Sequence, residues 1–327
     1  MKNFDLVVVG GGPAGISAAI TAESEGIQTL LIERRAEGWG GQASESSAIE
    51  NYFGFPQGVT GIELTQRGIS QARKFGTELL MPSSVARFER RDGKILVTLD
   101  DGTIIPTRAV ILALGVDYRI LEVDGVSKLV GCGVKYGSPH LSNVFERKRV
   151  VVIGGANSAG QAAVHLCKQH DCEVHMVVRN ETLSTNMSAY LIERINKAAN
   201  VKIHYKAQVR EVVGDGELKS VILSTPEGEK ILDVDAMFIL IGGTAKTAWI
   251  GETVAHDQKG FIYTGNDIPN SWWKLSRPPL FLESSMPGVF VAGDVRHGSI
   301  KRIALAAAEG AMAVQNIHGY LALKDGK

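Results

Sequence analysis

Residues 10–15 read Gly-Gly-Gly-Pro-Ala-Gly, and glycines at positions 10, 12 and 15 describe a turn that lets a ligand approach the backbone. Gly10 permits a tight reversal, Gly12 withholds a side chain where an anion would come close, and Gly15 lets the following helix pack tightly on its strand. Pro13 and Ala14 lie within the same turn, where the Ala-rich helical stretch opens, and belong with the glycines to the candidate dinucleotide-binding residues. The chemistry such a turn supports is capture of a dinucleotide pyrophosphate at a helix N-terminus. Further along, Glu33 stands where a carboxylate would accept hydrogen bonds from an adenosine ribose, with Arg34 beside it.

These residues need a strand before them and a strand after them. Phe4 to Val9 is a short apolar run, an Ala-rich helical stretch follows the turn to about Gly26, and Ile27 to Ile32 is a second apolar run ending at Glu33. Together they make one βαβ unit. The same pattern recurs: Val150 to Ile153, then Gly154-Gly155-Ala156-Asn157-Ser158-Ala159, a helix to about Gln169, and a strand Glu173 to Val178. In this second copy Ala156 replaces the middle glycine, and Arg179 stands where the first copy has a carboxylate. A guanidinium there suits a 2′-phosphate better than a bare ribose diol, so NADPH is favoured, with NADH possible. The other reading of Arg179 is a solvated surface side chain.

More strands are expected at Lys94–Leu99, Ala109–Leu114, Val221–Ser224 and Ala236–Ile241, two of them running into the turns at Gly115 and Gly242-Gly243. Gly288 to Gly293 is a strand and turn ending at Asp294, and Lys301 to Leu321 reads as one long Ala-rich helix. With 35 basic residues against 35 acidic ones, the chain advertises no surface for nucleic acid or anionic lipid. No apolar run approaches the ~18 residues of a membrane span, and the run before Gly10 is too short for a secretion signal, so a cytoplasmic location is expected. Three cysteines, Cys132, Cys167 and Cys172, form no C-x-x-C pair and no disulfide framework. The histidines show no metal-ligand spacing, so no metal is expected, and a G-x-S-x-G elbow is absent. Trp272-Trp273 in a Pro-flanked loop is either a packed loop anchor or a cover for a cofactor or partner.

The order of motifs, Gly10 to Gly15, then Gly40-Gly41-Gln42, Glu50-Asn51-Tyr52, the second glycine-rich turn, and Ala292-Gly293-Asp294, resembles the low-molecular-weight thioredoxin reductase family along nearly the whole chain. The resemblance implies an α/β fold of two Rossmann-like (three-layer ββα) nucleotide-binding domains, the NAD(P) domain inserted into the FAD domain. The FAD domain would take residues 1–117 plus 246–327 and the NAD(P) domain 118–245. Gly10, Gly12, Gly15 and Glu33 would hold the ADP half of FAD. Gly41, Gln42, Asn51 and Gly115 would line the flavin region, and Gly293-Asp294 would meet the ribityl chain. Gly298-Ser299-Ile300-Lys301-Arg302 differs from the family, and at the start of the last helix Lys301 and Arg302, with Ile303, either meet an anionic flavin or are solvated. Gly154 to Ala159 with Arg179 would hold the nicotinamide nucleotide. A homodimer through the FAD domain is implied.

The chain departs from that family at its redox centre. After Gly131-Cys132-Gly133-Val134-Lys135-Tyr136 the family carries C-x-x-C, whereas here the next residues are Gly137-Ser138-Pro139-His140. A flavin-to-disulfide-to-thioredoxin relay needs a thiolate at each step, and this chain lacks both sulfurs of the pair. His140 falls at the flavin-proximal position, where an imidazole could protonate an acceptor or stabilise an anionic flavin; its other reading is a helix cap or space filler. The expectation is a flavoprotein oxidoreductase passing hydride from NAD(P)H to FAD and on to an unidentified acceptor, with a redox or nucleotide sensor that binds FAD without turnover as the alternative.

Overall fold

The computed structural model describes residues 4–46, 49, 52–137 and 146–325. The chain runs through β1 (Phe4–Val9), α1 (Pro13–Ser24), β2 (Thr29–Ile32), α2 (Gly61–Phe75), β3 (Glu78–Leu80), β4 (Val85–Arg91), β5 (Lys94–Leu99), β6 (Ile104–Leu112) and β7 (Asp117–Tyr118). There follow α3 (Val126–Leu129), β8 (Val134–Tyr136), β9 (Arg149–Ile153), α4 (Asn157–His170), β10 (Glu173–Val178), α5 (Ala189–Asn196) and β11 (Val201–Tyr205). Then come β12 (Gln208–Gly214), β13 (Leu218–Thr225), β14 (Gly228–Asp233), β15 (Ala236–Ile239), β16 (Gly243–Thr244), β17 (Val289–Val291) and α6 (Ile303–Lys324). Contacts divide the chain into a discontinuous unit, up to Asp117 and again from Thr244, and a second unit, Tyr118–Gly243, inserted within it.

In the discontinuous unit the parallel order is β3-β2-β1-β6. The free edge of β6 is shared, its early residues pairing antiparallel with β5 and its later ones parallel with β17. Because side chains alternate along a strand, each strand supplies two cores. Leu6, Val8, Ile111 and Phe290 pack against α1 and α6, through Ala18, Ala22 and Ile317. Val7, Val9, Leu112 and Val291 pack on the other side against Phe88, Ile95 and Val97 of the β4–β5 hairpin. The result is a helix layer, a parallel sheet and a β layer.

The inserted unit repeats the scheme. Its parallel sheet has the order β11-β10-β9-β15-β8, and β12, β13 and β14 form an antiparallel sheet. Val150, Val152, Met176 and Phe238 face α4 and α5, whereas Val151, Ile153, Met237 and Ile239 face Val209, Val221 and Leu223 of the antiparallel sheet. Both units are therefore three-layer ββα folds of Rossmann type. The expected strand Glu173–Val178 coincides with β10, while β6 begins at Ile104 rather than Ala109. Pro106 hides this start, and among the described residues it pairs only with β5.

On β10 and β11, His175 Nδ1 and His204 Nε2 lie 2.9 Å apart with their rings stacked. Burial first, then Lys230, His175 and Lys202, pushes His204 down to about 4. The unfolded histidine takes up its proton near pH 6.5, so acidification protonates the unfolded chain before the folded one, and stability is lost as pH falls from about 6.5 to about 4. Thermal unfolding at pH 7 and pH 4.5 should show this loss, on the order of 1 kcal/mol once solvent screening of a half-buried ring is allowed for, and His204→Gln should shrink it. An unchanged pH dependence in the variant would count against the assignment.

Candidate nucleotide-binding sites

The first site is built where β1 turns into α1. Gly10 has φ +111°, and a Cβ there would stand 2.2 Å from the Ala113 carbonyl oxygen; a Cβ on Gly15 would stand 1.8 Å from the Gly10 carbonyl oxygen. Both positions are closed to any side chain by backbone. Gly12 is different: its nearest neighbour to an added Cβ is the Gly40 carbonyl oxygen at 3.9 Å, so the space above it is open. Pro13 occupies the first turn of α1, and no side chain caps that helix. Helix N–H groups beside an open glycine form the cradle that a pyrophosphate requires, and the residues present fit an adenine dinucleotide.

Glu33 is buried and braces this turn: Oε2 accepts from the Gly11 N–H at 2.7 Å and Oε1 from the Arg35 N–H at 2.9 Å. Arg34 extends away to pair with Asp117 at 3.6 Å, and Asp117 also pairs with Lys246. Burial, followed by Arg34 and Arg35, lowers the Lys246 ammonium below the usual lysine range. Gly41 and Gln42 open a 3-10 turn, Gly41–Glu45, and Gln42 Nε2 donates to the Val116 carbonyl at 2.5 Å. Gly40 donates its N–H to the Gly11 carbonyl at 2.8 Å, so the Gly40–Gln42 segment lies against the phosphate turn. Gly115, φ +64°, ends the run after β6 with open space where a Cβ would be.

Gly293 and Asp294 follow β17. Burial raises the Asp294 carboxyl above the usual carboxylate range, with Lys301 opposing and Glu309 adding to the shift. The helix expected from Lys301 starts at Ile303 instead, because Arg302 is extended (φ −140°, ψ 137°). The Lys301 ammonium lies 4.6 Å from the centroid of the Phe261 ring. Asn51 and His140 lie outside the described residues.

Trp39, Arg296 and Glu309 belong to this region although their sequence context did not single them out. A Cβ on Gly11 would stand 2.5 Å from Trp39 Cε3, so the indole covers the turn. An aromatic between Gly38 and Gly40, directly before Gly41-Gln42, was the available signal. Trp273, for its part, donates its indole N–H to the Arg277 carbonyl at 2.6 Å and stacks under the Arg277 guanidinium, as a loop anchor does.

The second site lies at β9 and α4. A Cβ on Gly154 would stand 2.5 Å from the Leu240 carbonyl oxygen. Ala156 is the N-cap residue, with no side-chain cap on α4. Asn157 Oδ1 accepts from the Ser188 N–H at 2.7 Å, tying the helix start to the segment before α5; Ser158 is exposed and Ala159 is fully buried. Arg179, at the end of β10, is exposed and has no ion-pair partner among the described residues, whereas its neighbour Glu181 pairs with Lys206 at 2.5 Å.

None of the three cysteines forms a disulfide. Burial raises the Cys167 and Cys172 thiols above the usual range, which leaves little thiolate for attack. Among the described residues no His, Cys, Asp or Glu cluster could hold a metal ion, and no helix is long and apolar enough to cross a membrane.

The family profile described as pyridine nucleotide-disulphide oxidoreductase matches residues 4–310, and the chain belongs to that family. It is an NAD(P)H-dependent flavoprotein oxidoreductase of thioredoxin reductase-like type, and the family's cofactors are FAD and NADPH. It is similar to the thioredoxin reductase of Listeria monocytogenes, 31% identical over 324 residues that cover 98% of this chain and 94% of the relative. It is also similar to a component of the alkyl hydroperoxide reductase of Staphylococcus aureus, 30% identical over 97% of this chain but spanning only 59% of that relative. The crystal structure of thioredoxin reductase from Streptococcus pyogenes superposes with a TM-score of 0.79 at 27% identity, covering 97% of this chain and 98% of that one.

Proposed function

We propose that the discontinuous unit binds FAD on the Gly10–Gly15 turn, that the inserted unit binds NADPH on the Gly154–Ala159 turn, and that electrons leave the flavin for an acceptor outside this chain. FAD bound there would supply a hydride-accepting N5 and two-electron redox chemistry. In balance, NADPH and one proton convert the oxidised acceptor to its dihydro form and release NADP⁺. The chain's own residues bind and orient: Gly12 with the α1 N-terminus cradles the pyrophosphate, Gly41, Gln42, Asn51 and Gly115 flank the flavin, and Asp294 receives the ribityl hydroxyls. Arg302 and Ile303 open α6 near the flavin, and His140 at the position of the lost cysteine is a candidate proton donor. Two chains are expected to assemble as a homodimer through their FAD units.

The cysteines carry the reading of the acceptor. The residues at 137–140 are Gly-Ser-Pro-His, Cys167 and Cys172 are buried thiols whose ionisation burial pushes above the usual range, and Cys132 stands alone. A dithiol relay has no second sulfur to work with. The acceptor is therefore a quinone-like small molecule, oxygen, a redox protein, or a disulfide carried wholly by the partner.

Anaerobic mixing of the yellow holoprotein with NADPH, and separately with NADH, tests the first half of this scheme. Rapid bleaching of the flavin band with NADPH is expected, and no bleaching with either nucleotide would leave a non-turnover sensor, the reading that Ala156 keeps open, or a flavoenzyme fed by another donor. Arg179→Ala should raise the NADPH concentration for half-maximal bleaching by about tenfold, the loss of one exposed charge-assisted phosphate contact, without moving the NADH value. No effect on either nucleotide would leave Arg179 a solvated side chain, and an equal loss with both would remove its role in telling the 2′-phosphate from a bare ribose.

A further inference from the structure

The turn that presents Asp294 is held from the middle of α6. Glu309, with its side chain only 13% exposed, accepts the Gly293 N–H on Oε2 at 2.7 Å. Its other oxygen accepts from Arg296 Nη2 at 2.6 Å and from Nε at 3.1 Å, and Arg296 Nη1 donates to the His297 carbonyl at 2.9 Å. The Arg296 N–H closes the turn on the Gly293 carbonyl at 3.0 Å. Gly293 and Arg296 are thus the first and last residues of a four-residue turn, Asp294 is its second, and one carboxylate grips both corners. From the far side, Ala14 Cβ would lie 3.0 Å from a Cβ on Gly293, which wedges the turn against the start of α1.

A guanidinium and carboxylate that are largely withdrawn from solvent are costly to desolvate, and a loop of this length needs no ion pair to close. We propose that Glu309 is a positioning residue for the flavin site, which acts through the Gly293 N–H and Arg296 to fix the direction in which Asp294 offers its carboxylate to the ribityl chain. This inference rests on the assignment of Asp294 to FAD. It has a second consequence: with Glu309 neutralised, Arg296 loses its carboxylate while two residues from Asp294, and it becomes a competitor for the group that FAD needs.

The test is a double-mutant cycle on FAD affinity, read by flavin fluorescence on adding FAD to the apoprotein. Asp294→Asn and Glu309→Gln are each expected to weaken binding at least about tenfold, and the double variant should bind no worse than the weaker single one, because residues that act through one another are non-additive. Glu309→Gln combined with Arg296→Met should recover affinity over Glu309→Gln alone. Parental affinity in Glu309→Gln, or additive losses in the cycle, would overturn the proposal. Parental affinity in Asp294→Asn is a separate result, which would remove the assignment of Asp294 itself. Should Glu309→Gln not fold, Arg296→Lys, which keeps the charge and gives up the forked contact, takes its place in the same cycle with the same two outcomes.

Discussion

Gly12→Val is expected to yield an apoprotein as stable as the parent, within about 0.5 kcal/mol, that binds FAD on the order of 100-fold more weakly. The backbone at Gly12 is extended, φ −79° and ψ −176°, a conformation open to any residue. The protein around it also leaves room, since a Cβ would meet nothing nearer than the Gly40 carbonyl oxygen at 3.9 Å. A valine there fills only the space in which the pyrophosphate is expected to lie. Thermal melting of the apoprotein and a fluorescence titration with FAD separate the two quantities. Parental FAD affinity would mean that the cofactor does not sit on this turn. In the second copy the matching residue is already Ala156, and Ala156→Gly is the complementary change for the nicotinamide nucleotide.

Gly310→Ala should do the reverse and strike the fold. Gly310 lies in α6 where that helix crosses α1, and a Cβ would stand 2.1 Å from the Ala14 carbonyl oxygen and 3.1 Å from the Ala18 nitrogen. Every close neighbour is backbone, so no rotamer change can relieve the contact. The helices must separate, at the upper end of what overpacking costs, about 3 kcal/mol. At roughly 2–4 °C per kcal/mol for a unit of this size, the apoprotein should melt several degrees lower, and FAD binding should weaken only as a consequence. A melting temperature equal to the parent's would show that α1 and α6 do not approach this closely.

These two glycines also mark how far the sequence could be read. The motif at Gly10, Gly12 and Gly15 is local, and its strand and helix carry their own periodicities, so β1, α1 and the second copy at β9 and α4 are legible from the residues, whereas the three-layer plan comes from the family resemblance. The role of Gly310 was not, because nothing adjacent to it in the chain says that another helix passes there. Glu309 is the same case: it meets Gly293 across sixteen residues of turn and helix, a pairing visible only once α6 is laid against the sheet. Glu33 was read as a ribose acceptor from its spacing, and in the structure its carboxylate braces the Gly11 N–H. Lys301 and Arg302 were read as helix because the Ala-rich run behind them is strongly helical; the extended Arg302 and the Lys301 contact with Phe261 belong to tertiary structure.

The interrupted course of the FAD-type unit has a consequence for how the protein is made. As the nascent chain leaves the ribosome, α1 emerges early with its small-residue face, Ala14, Ala18 and Ala22, uncovered. The helix that covers it, α6, and the strand β17 that completes the edge of β6 are translated only after the entire inserted unit. The inserted unit can close its own two cores as soon as it is synthesised, whereas the surrounding one must wait, so the second-encoded unit is the first that can finish folding. The discontinuous unit thus stays incomplete, with the small-residue face of α1 uncovered, until α6 has been made.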